Sequence, residues 1–339
     1  MDVKIKRVAP KHTFGIRYWL WLLIKRKIII SDQNQNAVLV KDFELPRRRL
    51  LLSVIAVLVI AFMSHASSAS GGDAALIVSP VTAAPSAEIH NGKLVWADLI
   101  TTDPNKAAKF YAAVFAWQPQ YFPDENYIEL THDGRVMSSI VFYEDDRTVE
   151  GDARWLVSIS VKDVDAASKV AAEKGGEIFV HATDLPERGR YSVIADAQGA
   201  VLMLLRATGG DPADDTPVLN EWGWAELWTD NIEEAASFYQ AIAGYDALRF
   251  PDSKGGERLV LGTDGKARAT IVPLPWDDVD PNWIPYVPVA NAAAILQRIV
   301  DAGGAVLLQS DEPDGASAVA IVMDPTGGVF AIQQTEFDR

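Results

Sequence analysis

Two carboxyl side chains lie in similar apolar stretches far apart in the chain. Asp98 follows Trp96 in LVWADLIT, and Glu226 follows Trp224 in WGWAELWT. Apolar surroundings favour the neutral form of a carboxyl group, and full burial can raise its pKa by up to roughly 3–5. Such a group can act as a general acid or base, or pair with a cationic ligand against a tryptophan face. It could instead bond to a nearby arginine or to backbone amides and hold the strands in place.

The stretch around Asp98 predicts a strand that leads directly into a helix. Leu94–Ile100 alternates between two faces, and Asp98 shares one of them with Trp96. Asp103 then stands at a helix N-cap position and Pro104 at the first helical position, where a missing N–H costs little. The following residues are apolar at helical spacing, which predicts one buried stripe: Ala107, Phe110, Tyr111, Val114 and Phe115.

The same unit returns in the second half of the chain, and its landmarks keep one constant spacing. A period as long as a whole domain indicates a duplicated domain rather than a solenoid of short repeats. Each copy also divides in two, because Asp103 precedes Asp163 by the same interval as Asn231 precedes Asn291. Four strand–helix openings in two pairs therefore form the predicted skeleton. The landmarks that recur at the constant spacing are Trp96 and Trp224, Asp98 and Glu226, Tyr111 and Tyr239, Trp155 and Trp283, Gly176 and Gly304, and Asp196 and Asp324.

Charge is unevenly distributed along the 339 residues. Residues 1–70 carry 12 Lys and Arg against 4 Asp and Glu, whereas the rest carries 19 against 42. A body this acidic repels phosphate backbones, so we expect no nucleic-acid partner. The absence of cysteine excludes thiolate metal sites and cysteine nucleophiles, and it is compatible with an oxidising compartment.

The N-terminal region predicts export. Arg47–Arg49 precede the apolar run Leu50–Met63, and small residues follow it, which is the pattern of a signal peptide. The run is short for a membrane span of about 20 residues. We expect a periplasmic or secreted body that does not itself contact a membrane, with Leu50–Met63 either cleaved or kept as an anchor. The upstream segment Tyr18–Ile30 is basic and apolar and could lie at a membrane surface.

Composition shifts then divide the chain. We expect a basic extension at 1–46, a signal peptide or anchor at 47–69, an Ala/Ser/Gly/Pro-rich linker at 70–92, a first domain at 93–207, a linker at 208–219 and a second domain at 220–336. Within the second domain, Pro285 and Pro288 fall in an expected strand, which should therefore be irregular or begin late.

The paired strand–helix–strand–strand–strand modules, opened by W-x-[DE]-L and [FY]-Y and closed by DxxG before an apolar strand, resemble the vicinal oxygen chelate superfamily. That group includes glyoxalase I, extradiol dioxygenases, and fosfomycin and bleomycin resistance proteins. Within that group the chain resembles tandem-domain bacterial proteins described as related to lactoylglutathione lyase. The resemblance implies an α+β fold of two tandem domains, each built from paired βαβββ modules curled around a cavity.

The resemblance also locates the positions where family enzymes bind a metal ion. They fall on Trp96, Leu156 and Met203 in the first copy and on Trp224, Ile284 and Ala331 in the second. None of these side chains supplies the imidazole or carboxylate that a divalent cation prefers. We therefore expect no metal site and no cofactor.

In the family the ligand positions face the cavity, and strand alternation then predicts the rest of the lining. The expected lining is apolar and aromatic with one carboxylate per copy, as suits a small organic ligand. The candidate acid–base residues are Asp98 and Glu226. The candidate ligand-binding residues are Trp96, Leu156, Ser158, Met203, Trp224, Trp228, Ile284, Tyr286 and Ala331; alternation adds Ile100, Ser160, Val201, Leu205, Pro288, Val329 and Gln333.

Three functions follow from these residues. The leading hypothesis is an exported, metal-independent protein that binds a small hydrophobic or cationic organic molecule, with the two halves paired within one chain. The alternative is a lyase, isomerase or oxygenase-like enzyme that uses Asp98 or Glu226 for proton transfer. A third is a structural module whose cavities are filled by Trp96, Trp228 and Tyr286. The identity of the ligand and the oligomeric state stay open.

Overall fold

The computed structural model describes residues 28–31, 37–40, 78–122, 126–144, 151–215, 217–251, 256–276, 279–310 and 318–335. The chain divides into two units, Met1–Leu45 and Pro46–Arg339. In the first unit, strands β1 (Ile28–Ser31) and β2 (Ala37–Val40) pair in antiparallel fashion. The predicted export signal lies outside the described residues. Of the helices in the ranges given above, none has the length and apolar character needed to cross a bilayer.

The second unit contains four strand–helix–strand–strand–strand modules. The first has β3 (Leu94–Thr101), α1 (Pro104–Phe115), β4 (Gln118–Tyr121), β5 (Tyr127–His132) and β6 (Arg135–Phe142). The second has β7 (Arg154–Ser160), α2 (Val164–Glu173), β8 (Glu177–Leu185), β9 (Gly189–Ala195) and β10 (Val201–Ala207). The third has β11 (Trp224–Thr229), α3 (Ile232–Ala243), β12 (Asp246–Pro251), β13 (Glu257–Thr263) and β14 (Lys266–Pro273). The fourth has β15 (Asn282–Val289), α4 (Ala292–Asp301), β16 (Ala305–Gln309), β17 (Val319–Met323) and β18 (Val329–Gln334).

Two modules combine into each eight-stranded sheet. The first sheet has the order β4-β5-β6-β3-β7-β10-β9-β8, and the second has the equivalent order β12-β13-β14-β11-β15-β18-β17-β16. The opening strands of paired modules meet in antiparallel fashion at the centre, and each pairs in parallel with the last strand of its own module. The predicted α+β fold of two duplicated domains is thereby confirmed.

Side-chain caps fix the start of each helix. Asp103 accepts a hydrogen bond from the N–H of Lys106 at 2.9 Å, and Asp163 accepts one from Ala166 at 3.0 Å. Asn231 and Asn291 cap α3 and α4 in the same way. These caps occupy otherwise unpaired N–H groups of the first turn, so each strand can pass directly into a helix.

The helices pack in two apolar cores that both halves of the chain share. One core joins α1 to α4 and includes Phe110 and Phe330, and the other joins α2 to α3 and includes Ile194 and Phe238. Each half therefore buries its helix-bearing side against the other half.

Repeated residues of the sequence link the halves through two equivalent relays. Trp155 donates through Nε1 to the Tyr111 hydroxyl at 3.0 Å, and that hydroxyl donates to Asp324 Oδ2 at 2.7 Å. In the mirror arrangement, Trp283 donates to Tyr239 at 2.9 Å, and Tyr239 donates to Asp196 at 3.0 Å. Burial is the main cause that raises the pKa of both aspartates. In the sequence these aspartates were recognised only as landmarks of the repeat.

The expectation of an irregular β15 is wrong. β15 runs without a bulge through Pro285 and Pro288, pairing with β11 on one side and β18 on the other. Partners on both sides hold the strand, and a proline still offers its carbonyl oxygen. The N–H of Asn220 donates to the Pro288 carbonyl at 2.8 Å.

The segment predicted as the second linker is fixed at Asp214. Its carboxylate accepts hydrogen bonds from Arg268 at 2.6 and 3.0 Å, and Lys266 Nζ lies 3.1 Å away. These bonds, with Arg268 as the main contributor, lower the pKa of Asp214.

Candidate functional site

Each sheet has one side opposite its helices, and the predicted cavity residues lie on these two sides. We call them the first face, on the sheet of β3–β10, and the second face, on the sheet of β11–β18. On the first face, Trp96 pairs with Ser158, which also pairs with Met203 on β10. Trp96, Leu156 and Met203 share one buried cluster. The structure thus brings together the three positions that the family resemblance identified.

Asp98 is held on the first face by neighbours on both sides. Trp96 Nε1 donates to Asp98 Oδ1 at 2.9 Å, and the Ser139 hydroxyl donates to the same oxygen. The residue is 4% exposed. Burial raises the pKa of Asp98, whereas the positive charge of Arg188 opposes that rise. Asp98 is therefore a carboxyl group fixed within a closed polar cluster.

Arg188 and Glu129 complete this cluster and were missed in the sequence. The Arg188 guanidinium lies 3.6 Å from the centre of the Trp96 ring and 4.0 Å from Glu129 Oε1. Arg188 also donates to the Tyr127 hydroxyl at 3.3 Å, and Tyr127 donates to Glu129 at 3.2 Å. Glu129 could have been found from the sequence, because it lies two residues after Tyr127 in a predicted strand, just as Asp98 lies two residues after Trp96. Arg188 had none, since it lies in the turn between β8 and β9.

The first face is covered by the chain itself. Val78 and Val81, from the segment predicted as a linker, are 1% and 6% exposed and pack into the cluster of Trp96 and Tyr191. Two hydroxyls on this side, of Ser158 and Ser160, are buried without a hydrogen-bond partner among the described residues. The first face therefore has the character of a protein interior.

The second face keeps its carboxylate partly exposed. Glu226 is flanked by Trp224 and Trp228 on β11, and both Glu226 and Trp224 are partly buried. Trp228 Nε1 donates to Glu226 Oε1 at 3.0 Å, and the Tyr286 hydroxyl donates to the same oxygen at 2.9 Å. Burial is the main cause that raises the pKa of Tyr286 well above its ordinary value, and Glu226 adds to it. Tyr286 therefore stays a hydrogen-bond donor at neutral pH.

Several apolar side chains lie beside this carboxylate, and Arg258 on β13 is near enough for its charge to oppose the rise in the pKa of Tyr286. Ile284 and Ala331 are buried beside Trp228 and Tyr286, and Val329 is partly buried against them. Trp276 adds a ring 6.0 Å from that of Trp228. The second face thus combines an oriented carboxylate with aromatic and aliphatic surface, which suits a small organic molecule with a positive group.

Neither face presents a metal-ligand set in the part of the chain that the structure describes. No group of three or more His, Cys, Asp or Glu side chains is close enough there to hold a metal ion. The residues at the family's ligand positions on the second face are Trp224, Ile284 and Ala331, which offer no imidazole or carboxylate.

Comparisons with known proteins agree with this architecture. Residues 93–204 match the Glyoxalase/Bleomycin resistance protein/Dioxygenase superfamily. CFP32 of Mycobacterium bovis, assigned by name as a glyoxylase, is 29% identical over 252 residues, which cover 72% of this chain and 95% of that protein. The anthracycline biosynthesis protein DnrV of Streptomyces peucetius is 28% identical over 265 residues, which cover 71% of this chain and 92% of that protein.

Solved structures show the same fold at low sequence identity. The Mn(II)-bound glyoxalase from Novosphingobium aromaticivorans matches with a TM-score of 0.53 and 14% identity, covering 74% of this chain and 86% of that chain. The 2,3-dioxygenase LapB from Pseudomonas sp. KL28 matches with a TM-score of 0.51 and 14% identity, covering 74% and 94%. Residues 93–204 thus carry the sequence signature of the glyoxalase, bleomycin resistance and dioxygenase superfamily, the vicinal oxygen chelate group. It is related to a protein named as a glyoxylase and to anthracycline biosynthesis proteins.

Proposed function

We propose that this protein is a metal-independent binding protein whose second face holds a small hydrophobic or cationic organic molecule. The observation that carries the proposal is the partly exposed carboxylate of Glu226, oriented by Trp228 and Tyr286 among apolar side chains. Two donors on one oxygen fix the plane of the carboxylate, so it is preorganised for a cationic group. Trp224 adds a partly exposed ring beside it.

The proposal assigns no ligand to the first face. Asp98 there is 4% exposed, and the cluster around it includes Val78 and Val81. Sequence reasoning gave Asp98 and Glu226 the same candidate role. The hydrogen bonds of Asp98 and its neighbour Arg188 favour the other interpretation considered for it, a carboxyl group that holds the strands together.

Export is part of the proposal. It rests on the arginines before Leu50–Met63 and on the small residues after that run. If the source cells are fractionated and the fractions are probed with an antibody against the two predicted domains, we expect the protein outside the cytoplasm. Recovery in the cytoplasm alone would contradict export and leave the binding proposal standing.

Daunorubicin is a suitable probe, because it joins a flat aromatic system to a protonated amino sugar and because one relative is named for anthracycline biosynthesis. Its aglycone lacks the amine and is the matched neutral control. We expect daunorubicin to raise the melting temperature of the full chain, the aglycone to do so less, and Glu226→Gln to weaken daunorubicin binding about 10-fold. Equal binding by the wild type and Glu226→Gln would contradict the proposal.

Metal independence has its own measurement. Treatment with a chelator should leave daunorubicin binding unchanged, and elemental analysis of the purified protein should find far less than one Zn, Ni, Mn or Fe per domain. About one metal ion per domain, or binding abolished by the chelator, would reject this part of the proposal.

An enzyme that uses Glu226 as acid or base is the second candidate, favoured by the 2.9 Å contact between its carboxylate and the Tyr286 hydroxyl. In that case the protein converts a substrate, and Glu226→Gln abolishes this conversion without unfolding the protein. Turnover unchanged in Glu226→Gln would end this candidate.

A further inference from the structure

A short segment of the chain, Val78–Val81, is bound on the first face as a ligand would be. Val78 and Val81 place their side chains in the cluster of Trp96 and Tyr191. Between them, Ser79 and Pro80 are only partly buried. The two valines thus act as apolar anchors on either side of a polar contact.

The polar contact involves all the hydrogen-bonding groups of Ser79. Its N–H donates to Glu129 Oε1 at 2.7 Å, and its hydroxyl donates to Glu129 Oε2 at 2.6 Å. Its carbonyl oxygen accepts from Arg188 Nε at 2.8 Å. Glu129 is fully buried and Arg188 is 5% exposed, so these charged groups face the segment rather than solvent. Pro80 has no N–H and a fixed φ, which reduces the entropy lost when the segment is ordered.

The segment is joined to the domain by an exposed connection and a separate anchor. Ala83–Pro85 is exposed. Beyond it, the N–H of Ser86 donates to the Gly209 carbonyl at 2.8 Å, and the N–H of His90 donates to Asp211 at 2.6 Å. The anchor at 86–90 does not depend on contacts of Val78–Val81, so the segment resembles a ligand on a short tether.

We propose that the first face is a peptide-binding site and that Val78–Val81 is its tethered occupant. The site takes a short segment with a small hydroxyl residue between two aliphatic residues. Glu129 and Arg188 recognise the backbone and hydroxyl of the central residue, and the cluster around Trp96 takes the flanking side chains. This inference concerns the first face only and does not rest on the function proposed for the second.

The first test measures occupancy in the full chain. Because the chain has no cysteine, Val81→Cys and Ala83→Cys each provide one thiol. We expect a thiol reagent to label Val81→Cys at least about 100-fold more slowly than Ala83→Cys under native conditions, since labelling requires release of the segment. The two rates should become equal in denaturant. Similar native rates would overturn the proposal, and adding Ser79→Ala to Val81→Cys should speed labelling roughly 10-fold through loss of a charge-assisted hydrogen bond.

The second test measures binding in trans. A tethered occupant has an effective concentration in the millimolar range, so a free peptide competes poorly with it. The double variant Val78→Asp and Val81→Asp removes the anchors from the chain. We expect a fluorescein-labelled peptide of residues 76–83, LIVSPVTA, to bind this variant at least about 10-fold more tightly than the wild type. The matched peptide with both valines replaced by aspartate should not bind.

Two outcomes of the second test would overturn the proposal: no binding of the valine peptide to the double variant, or equal binding of both peptides. Adding Glu129→Gln to the double variant should weaken peptide binding roughly 10-fold or more, because the Ser79 position loses its charged acceptor. An unchanged affinity for the peptide would show that Glu129 does not take part in binding it. Daunorubicin binding at the second face should be the same in all these variants, so failure here is distinguishable from failure of the proposed function.

Discussion

The first and second faces have the same skeleton and differ in a few side chains. In both, a tryptophan precedes a carboxylate on the central strand. The cross-strand partner of Trp96 is Ser158, whereas the cross-strand partner of Trp224 is Tyr286. One strand further out, Glu129 aligns with Ser139 and Asp98 on the first face, and Val260 takes the corresponding place beside Thr270 and Glu226 on the second.

These exchanges explain why Asp98 is enclosed on the first face whereas Glu226 is only partly buried on the second. Glu129 gives the first face a second buried carboxylate, and Arg188 lies close enough to balance it. That pair binds the backbone of Ser79 and so brings the chain over the face. On the second face Val260 supplies no such acceptor, and Tyr286 orients Glu226 instead. After a domain has been duplicated, one copy can therefore become a closed core while the other keeps a binding site.

The largest expected effect comes from breaking the charge pair of the first face. Arg188→Met leaves Glu129 buried without its cationic partner, which should lower the free energy of unfolding by about 3–5 kcal/mol in urea titrations. Arg249→Met is the matched control, since Arg249 forms exposed ion pairs on the second sheet, and it should leave stability unchanged within error. Similar effects of the two variants would show that the first face is not a charged core.

A smaller effect, equal in both halves, is expected at the relays between the domains. Tyr111→Phe and Tyr239→Phe each leave one buried carboxylate oxygen and an indole N–H without that partner, which should cost about 1–3 kcal/mol. Thermal or urea unfolding measures both, with Tyr121→Phe on the exposed edge strand β4 as the control. Clearly unequal losses would show that the two relays are not equivalent.

The smallest effect is a pH dependence at Asp98. Burial raises the pKa of this carboxyl group, so above about pH 4 the folded state binds more protons than the unfolded chain. The contribution of Asp98 to the free energy of unfolding then falls as pH rises through this window, and Asp98→Asn removes that loss. The variant should therefore gain stability relative to the wild type as pH rises, levelling off above the folded-state pKa. A relative loss with rising pH would mean that Arg188 outweighs burial.

The sequence predicted the features that depend on local pattern. Asp103 was identified as a cap from residue type and position, and the constant spacing of the repeat predicted the module order. The family resemblance placed Trp96 and Met203 on one side of their sheet, and strand alternation extended that side to their neighbours. These features follow from spacing, which the chain carries without reference to distant partners.

The remaining features depend on residues that meet only in the folded chain. Arg188 and Glu129 are far apart in sequence, and nothing in the turn that holds Arg188 indicates that it stacks on Trp96. Ser79 lies in a stretch that has the composition of a linker. A bound segment this short leaves no periodic pattern in the sequence, so its contacts could not be predicted. The contact of Tyr111 with Asp324 likewise joins the first module to the fourth. Pairing on both sides overrode the local effect of Pro285 in β15.

The central claim is that the second face, and not the first, receives an external ligand. It is tested most directly by daunorubicin titrations of the full chain carrying either Asp98→Asn or Glu226→Gln, with folding of each checked by circular dichroism. We predict that Glu226→Gln weakens binding about 10-fold and that Asp98→Asn changes it less than about twofold. Weaker binding in Asp98→Asn with wild-type affinity in Glu226→Gln would contradict the account.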